Sequence, residues 1–157
     1  MAFDAHKAGL ARRRIDLAFG GVVPPDDGQL LHPRCIDDGD IADFYGQPDI
    51  HTLSDGFLIR NYAVPSFFSA EAFRYYMPVF MRWSLANPGS VPYVVESSVR
   101  AFDPGPAGNS LRDFQISKFV LFDDAQGHAV VLFLEAFEQD TDLGPVAASA
   151  LAHHWQV

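Results

Sequence analysis

The chain has 157 residues, 48% hydrophobic and 13% aromatic, which is the size of one domain and enough apolar mass for a real core, excluding a disordered tail. Its 11 Lys and Arg stand against 20 Asp and Glu, a formal net charge of −9, and a field of that sign repels nucleic acid and anionic membrane while attracting basic partners. The single cysteine, Cys35, excludes an internal disulfide, and no Cys/His spacing around it reads as a zinc site.

The opening MAFDAHKAGLARRR lacks the apolar core of a signal peptide, and no 18-residue apolar run occurs, so the expected compartment is the cytoplasm. Residues 4–19 read as a helix with Ala8, Ala11, Ile15, Ala18 and Phe19 on one face. Gly20-Gly21 is expected to stop it through the left-handed conformation that glycine accepts. VVPPDDGQLLHPRCIDDGD is a turn-rich connector, with Pro24-Pro25 and two Asp-Gly pairs. A short helix is expected over Asp40–Tyr45, closed by Gly46 and Pro48. Residues 49–68 read as loop with a helical turn or two.

Ser69 is a good N-cap, and Glu71 suits the positive end of the helix dipole. The helix beginning there, AEAFRYYMPVFMRWSLA, is apolar nearly all round and reads as the central buried element. Pro78 inside it removes the bond to the Arg74 carbonyl and should bend it, and Asn87-Pro88-Gly89 ends it. Val91–Phe102 reads as another helix, with Ser90 as cap, Pro92 in the first turn, and a stripe of Val91, Val95, Val99 and Phe102. DPGPAGNS at 103–110 reads as the most flexible loop. Over 118–137, propensity permits either a hairpin turning at Asp124–Gly127 or a helix from an Asp123 cap to about Gln139. We take the helix, with Val130, Phe133, Leu134 and Phe137 on one face. A last helix from about Pro145 to Trp155 turns Val146, Ala150 and Leu151 inward. The whole is an all-α single domain, 1–157, of five or six helices around the Pro-kinked one.

Candidate chemistry is sparse. Asp37, Asp38 and Asp40 resemble part of a calcium loop, but counting from Asp38 puts Ala42 at position 5 and Asp49 at position 12, where oxygen ligands and a glutamate are needed. An Asp-rich turn capping a helix is the better reading. His153 and His154 project about 100° apart on a helix and cannot chelate one ion well, so they read as solvent-exposed. No G-x-S-x-G, H-E-x-x-H or Walker loop occurs. Arg34 beside Cys35 is a weak signal for a reactive thiol. The aromatic group Phe67, Phe68, Phe73, Tyr75, Tyr76, Phe80 and Trp83 reads as core. We therefore expect no catalytic residue, no cofactor and no metal site, hence no enzyme.

FYG at 44–46, FFSAEAFRYYMP at 67–78, and a late Gln126 followed by Phe133-Leu134-Glu135 resemble an uncharacterised family of small bacterial proteins known only as a domain of unknown function. The resemblance covers roughly residues 40–137 and favours the helix at 123–139. Met77 stands where the family usually has leucine, and a tryptophan common after the FYG element is absent. The family implies a fold and no activity, so no site residue carries across.

Charge gives the functional expectation. Residues 1–20 carry a local +2, while beyond Lys118 there are six carboxylates and no Lys or Arg. Small acidic proteins without catalytic motifs fit a protein-binding inhibitor of immunity or antitoxin type, which captures a basic bacterial toxin by electrostatic steering. The expected contact residues are Glu138, Asp140 and Asp142, then Asp37, Asp38 and Asp40. The alternatives are a small hydrolase or metal-dependent enzyme using Asp37–Asp40 with a distant histidine, and a structural oligomer subunit or homodimer using the aromatic surplus.

Overall fold

Asp4 starts the first helix, α1 (Ala5–Phe19), by accepting a hydrogen bond from the Lys7 amide at 3.1 Å. Ala8, Ala11, Ile15 and Phe19 are buried at helical spacing, as the periodicity predicts. The computed structural model describes residues 2–46, 49–89 and 93–156. Gly20 departs from expectation. Its φ is −61°, so the helix ends without a left-handed glycine.

The connector is tied to the segment around Phe68. A 3-10 turn at Asp27–Gln29 leads to Leu31, which forms an isolated antiparallel bridge with Phe68. Flanking bonds run from the His32 amide to the Phe67 carbonyl and from the Ser69 amide to the Leu30 carbonyl, both 2.8 Å. The segment predicted as a helix at 40–45 is a 3-10 helix, Asp38–Phe44, closed by Gly46 at φ 71°. Short elements then alternate with turns: a 3-10 turn at Ile50–Thr52, α2 (Asp55–Arg60) and a 3-10 turn at Val64–Phe67.

Ser69 caps α3 (Ala70–Ala86) by accepting from the Ala72 amide, and its hydroxyl donates to the Gln29 carbonyl. Pro78 lies within α3, and Ala72, Phe73, Tyr75, Tyr76, Phe80 and Met81 are among its buried residues. Phe67 and Trp83, expected in the core, are only partly buried against it.

α4 (Val94–Arg100) is shorter than predicted. It begins after Tyr93, a left-handed residue at φ 41° with no capping side-chain bond, and ends before Phe102. Ser90, Val91 and Pro92, expected to start this helix, lie outside the described residues, as does Pro48. Val95, Val99 and Phe102 are buried as expected. The sequence reading missed α5 (Arg112–Ile116), whose five residues are too few to display a period.

The contested segment is helical. α6 (Asp124–Phe137) opens on a capping box: the Gln126 amide donates to Asp123 Oδ1 at 2.8 Å, and the Asp123 amide donates to Gln126 Oε1 at 3.0 Å. Gln126 Nε2 then donates to the Ala18 carbonyl at 3.1 Å. At the other end the Asp4 amide donates to Ala136 O at 2.9 Å, so α1 and α6 run antiparallel. α7 (Gly144–Ala150) continues into a π-helix, Leu151–Trp155. Ala150 and Leu151 are buried, whereas Val146 is only half-buried.

Among the described residues there is no strand, and the buried side chains form one core. Two aromatic groups organise it. Phe44 meets Phe57, Phe68 and Tyr76 edge-on at 4.9–5.1 Å, and Phe102 touches Phe73, Phe119, Phe133 and Trp155. No described helix is long and apolar enough to cross a membrane.

Candidate functional site

The acidic loop is built by local capping. Asp37 Oδ1 accepts from the Gly39 amide at 2.9 Å, which starts the 3-10 helix and places Asp38 and Asp40 in its first turn. All three carboxylates are exposed, and none has an ion-pair partner among the described residues. Phe44 at the far end of the same 3-10 helix is 1% exposed, so the charged turn is held on the core by a buried ring. Ile36, immediately before the cluster, is 99% exposed. Ile36 thus stands in full contact with water beside three carboxylates without an ion-pair partner among the described residues.

Sequence reading missed Asp27 as a member of this group. Its Oδ1 accepts from the Gly46 amide at 3.1 Å, across 19 residues. The Tyr45 phenol is held above its ordinary range by burial, then by the nearby Asp38 and Asp27 charges. That the FYG element closes the acidic 3-10 helix was legible; that it reaches back to the Asp26-Asp27 turn was not.

Behind Ile36 the chain is tied down by side-chain hydrogen bonds. His32 is buried, and its Nδ1 accepts from the Arg34 amide at 3.0 Å. Its Nε2 lies 2.8 Å from Ser117 Oγ, which itself donates to the Phe114 carbonyl at 2.6 Å. The Ser117 proton is thus committed to a carbonyl, and Nε2 carries the imidazole proton. This network fixes a neutral histidine and leaves the serine unactivated. Burial, with Lys118 and Arg34 adding repulsion, lowers the His32 pKa in agreement. Cys35 is free and half-buried in the same turn.

The other predicted acidic residues lie between α6 and α7, and no hydrogen bond or ion pair joins them to Asp37–Asp40 among the described residues. Glu138 is half-buried at the C-terminus of α6. Asp140 Oδ1 accepts from the amides of Asp142 and Leu143, both at 2.9 Å, so it is a structural cap. Asp142 is exposed, and with Asp140, Tyr93 and Glu96 it lines a shallow cleft of about 230 Å³. The remaining C-terminal carboxylates include Asp123, used in its capping box, and Glu135, 3.9 Å from Lys7.

The histidine pair is half-buried rather than fully solvent-exposed as expected. His153 Nδ1 lies 2.7 Å from Asp103 Oδ1, and His154 packs on Phe119 and Trp155. The π-helix carries both residues, and burial lowers the His154 pKa, aided by Arg112. A cavity of about 490 Å³ lies beside Phe19, His51, Tyr75 and Arg82; the Arg82 guanidinium is 3.5 Å from Asp16. Among the described residues no group of three or more His, Cys, Asp or Glu stands close enough to hold a metal. No described histidine is hydrogen-bonded to Asp37, Asp38 or Asp40.

The chain belongs to the family described as a family of unknown function, DUF6714, which it matches over residues 33–157. No curated protein and no solved structure matches the chain.

Proposed function

We propose that this family member is a protein-binding inhibitor, of immunity or antitoxin type, that captures a basic bacterial toxin in the cytoplasm through the loop Ile36–Asp40. The observation that carries this reading is Ile36, 99% exposed beside Asp37, Asp38 and Asp40. An apolar side chain fixed in water gains by burial against a partner, and an unpaired acidic rim speeds encounter with a basic one. The neutral His32 network behind the loop keeps it preorganised, which lowers the ordering cost of binding.

Glu138 and Asp140 are half-buried whereas Asp37, Asp38 and Asp40 are all exposed, so this reading puts the earlier loop ahead of Glu138, Asp140 and Asp142. In the same reading α3 is the frame of the domain and bends at Pro78, where the ring removes the bond to the Arg74 carbonyl.

The test is association kinetics with the cognate toxin, found by gene neighbourhood or pull-down, at low and high salt. Ile36→Ser should raise the dissociation rate about tenfold or more, as loss of a hot spot does. Asp37→Asn with Asp38→Asn and Asp40→Asn keeps the cap, removes the charge, and should slow association and flatten the salt dependence. Unchanged kinetics in both variants would move the interface elsewhere. If no toxin lies beside the gene and none is captured, the immunity reading fails.

A further inference from the structure

Lys118 is 1% exposed, and removing an ammonium from water costs several kcal/mol unless it is well paired. Among the described residues no carboxylate lies within ion-pair distance of it. Its Nζ donates to Gln115 Oε1 at 3.1 Å and stands 4.3 Å from the centre of the Phe114 ring. An ammonium has three protons to place, and the amide and the ring face account for two. A buried cation so thinly partnered is either a structural liability or half of a site.

Its surroundings favour a site. Lys118 and Gln115 line a cleft of about 210 Å³ together with Arg100, Ser66, Ser97 and Tyr62, and Phe73 gives it an apolar wall. Arg100 and Tyr62 are exposed, so the cleft reaches solvent. Arg100 engages Glu96 through Nε at 3.0 Å, which leaves the terminal nitrogens of its guanidinium for another acceptor. The cleft therefore combines two cations with three hydroxyls, those of Ser66, Ser97 and Tyr62, and an amide. Its volume is below the ~300–1,000 Å³ usual for drug-sized ligands, so its occupant is small.

We propose that this cleft binds a small organic anion, a carboxylate or a phosphate monoester, with Lys118 and Arg100 as charge partners and Ser66 and Ser97 as donors. Binding here does not require that the acidic loop bind a toxin.

The protonation behaviour agrees with the geometry. Burial lowers the Lys118 pKa to about 8, opposed by Cys35. The titratable groups around it are Cys35 and His32 from the connector, Tyr62 after α2, and Arg100 with its partner Glu96 from α4. A bound anion favours the charged lysine, so binding takes up a proton near pH 8 and weakens as pH rises through that value. From pH 7 to 9 the charged fraction of such a lysine falls about tenfold, and affinity should follow.

The experiment titrates the protein with sulfate, which mimics a phosphate dianion at constant charge, and with succinate, following the Gln115 side-chain amide by NMR. Chloride at matched ionic strength is the control. A saturable shift with sulfate but not succinate assigns a phosphate ester, and the reverse assigns an organic acid. Lys118→Met should weaken binding tenfold or more, and Arg100→Met several-fold. Should Lys118→Met fail to fold, the wild-type comparison at pH 7 and 9 decides the matter. The proposal is overturned if neither anion saturates, if Lys118→Met binds as wild type, or if affinity is the same at both pH values.

Discussion

Phe44 offers the sharpest test of how the acidic loop is mounted. Its ring is 1% exposed and meets Phe57, Phe68 and Tyr76 edge-on at 4.9, 5.1 and 4.9 Å. Truncating a buried Phe to Ala costs about 3–5 kcal/mol, and edge-on aromatic pairs contribute roughly 0.5–1.5 kcal/mol each beyond buried area. With three such pairs, Phe44→Ala belongs at the upper end, about 4–5 kcal/mol. Against the roughly 5–15 kcal/mol that holds a domain together, this is a large share. At about 2–4 °C per kcal/mol for a chain of this size, Tm should fall by roughly 8–20 °C. Urea unfolding followed by circular dichroism measures it directly, and an unchanged slope would show that the denatured state is the same. Ile36→Ala is the control, since a fully exposed side chain should change stability by less than about 0.5 kcal/mol. A loss at Phe44 below about 1.5 kcal/mol would mean that the 3-10 helix is not anchored by this ring, and the preorganised loop would lose its physical basis.

Gln126→Glu should cost about 1–3 kcal/mol in urea melts, although glutamate suits a capping box, because the Ala18 carbonyl would lose its donor and face a carboxylate. Asp140→Ala should cost about 0.5–2 kcal/mol through loss of its cap, whereas Asp142→Ala should be near neutral. His32 and His154 have pKa values lowered from 6.5, so the unfolded chain binds protons more readily; stability should decline as pH drops below about 6.5, and His32→Gln should flatten part of that slope in melts between pH 7.5 and 5. Lys118 works in the basic range: with a folded pKa of about 8 against 10.5, stability should rise as pH climbs past 8, by on the order of 3 kcal/mol if the full interval is traversed. Lys118→Met should abolish that rise, and the difference between the two proteins isolates it from the tyrosines, whose raised values, about 12 for Tyr76, act in the opposite sense above pH 10.

What could be read in the sequence was whatever rests on local rules. Asp4 was readable as the edge of α1, Ser69 as the cap of α3, and Asp123 as the cap of α6, because caps and periods are written within four residues. α5 and the boundaries of α4 were not legible. The first is too short to show a stripe, and the second begins at a left-handed tyrosine that no propensity rule favours. The site was half legible. Asp37, Asp38 and Asp40 are visible as a charge cluster, but nothing in the turn-rich connector singles out Ile36, and only the fold shows it in water. Lys118 is the converse case: its sequence neighbours Gln115, Ser117 and Phe119 announce nothing, and its burial depends on His32 and Phe114 meeting across 82 residues.

The pairing of α1 with α6 also sets a schedule. α1 carries a ready-made apolar face, yet the residues that cover it, from Gln126 to Ala136, are made more than 100 positions later. At roughly 5–20 residues per second, a ribosome leaves α1 without α6 for about 6–25 s, far longer than the microseconds in which a helix forms. During that interval the nascent chain presents an exposed amphipathic helix whose polar side is the basic run Arg12-Arg13-Arg14. Closure by such distant partners also makes this all-helical domain a slower folder than bundles whose neighbours are adjacent in sequence.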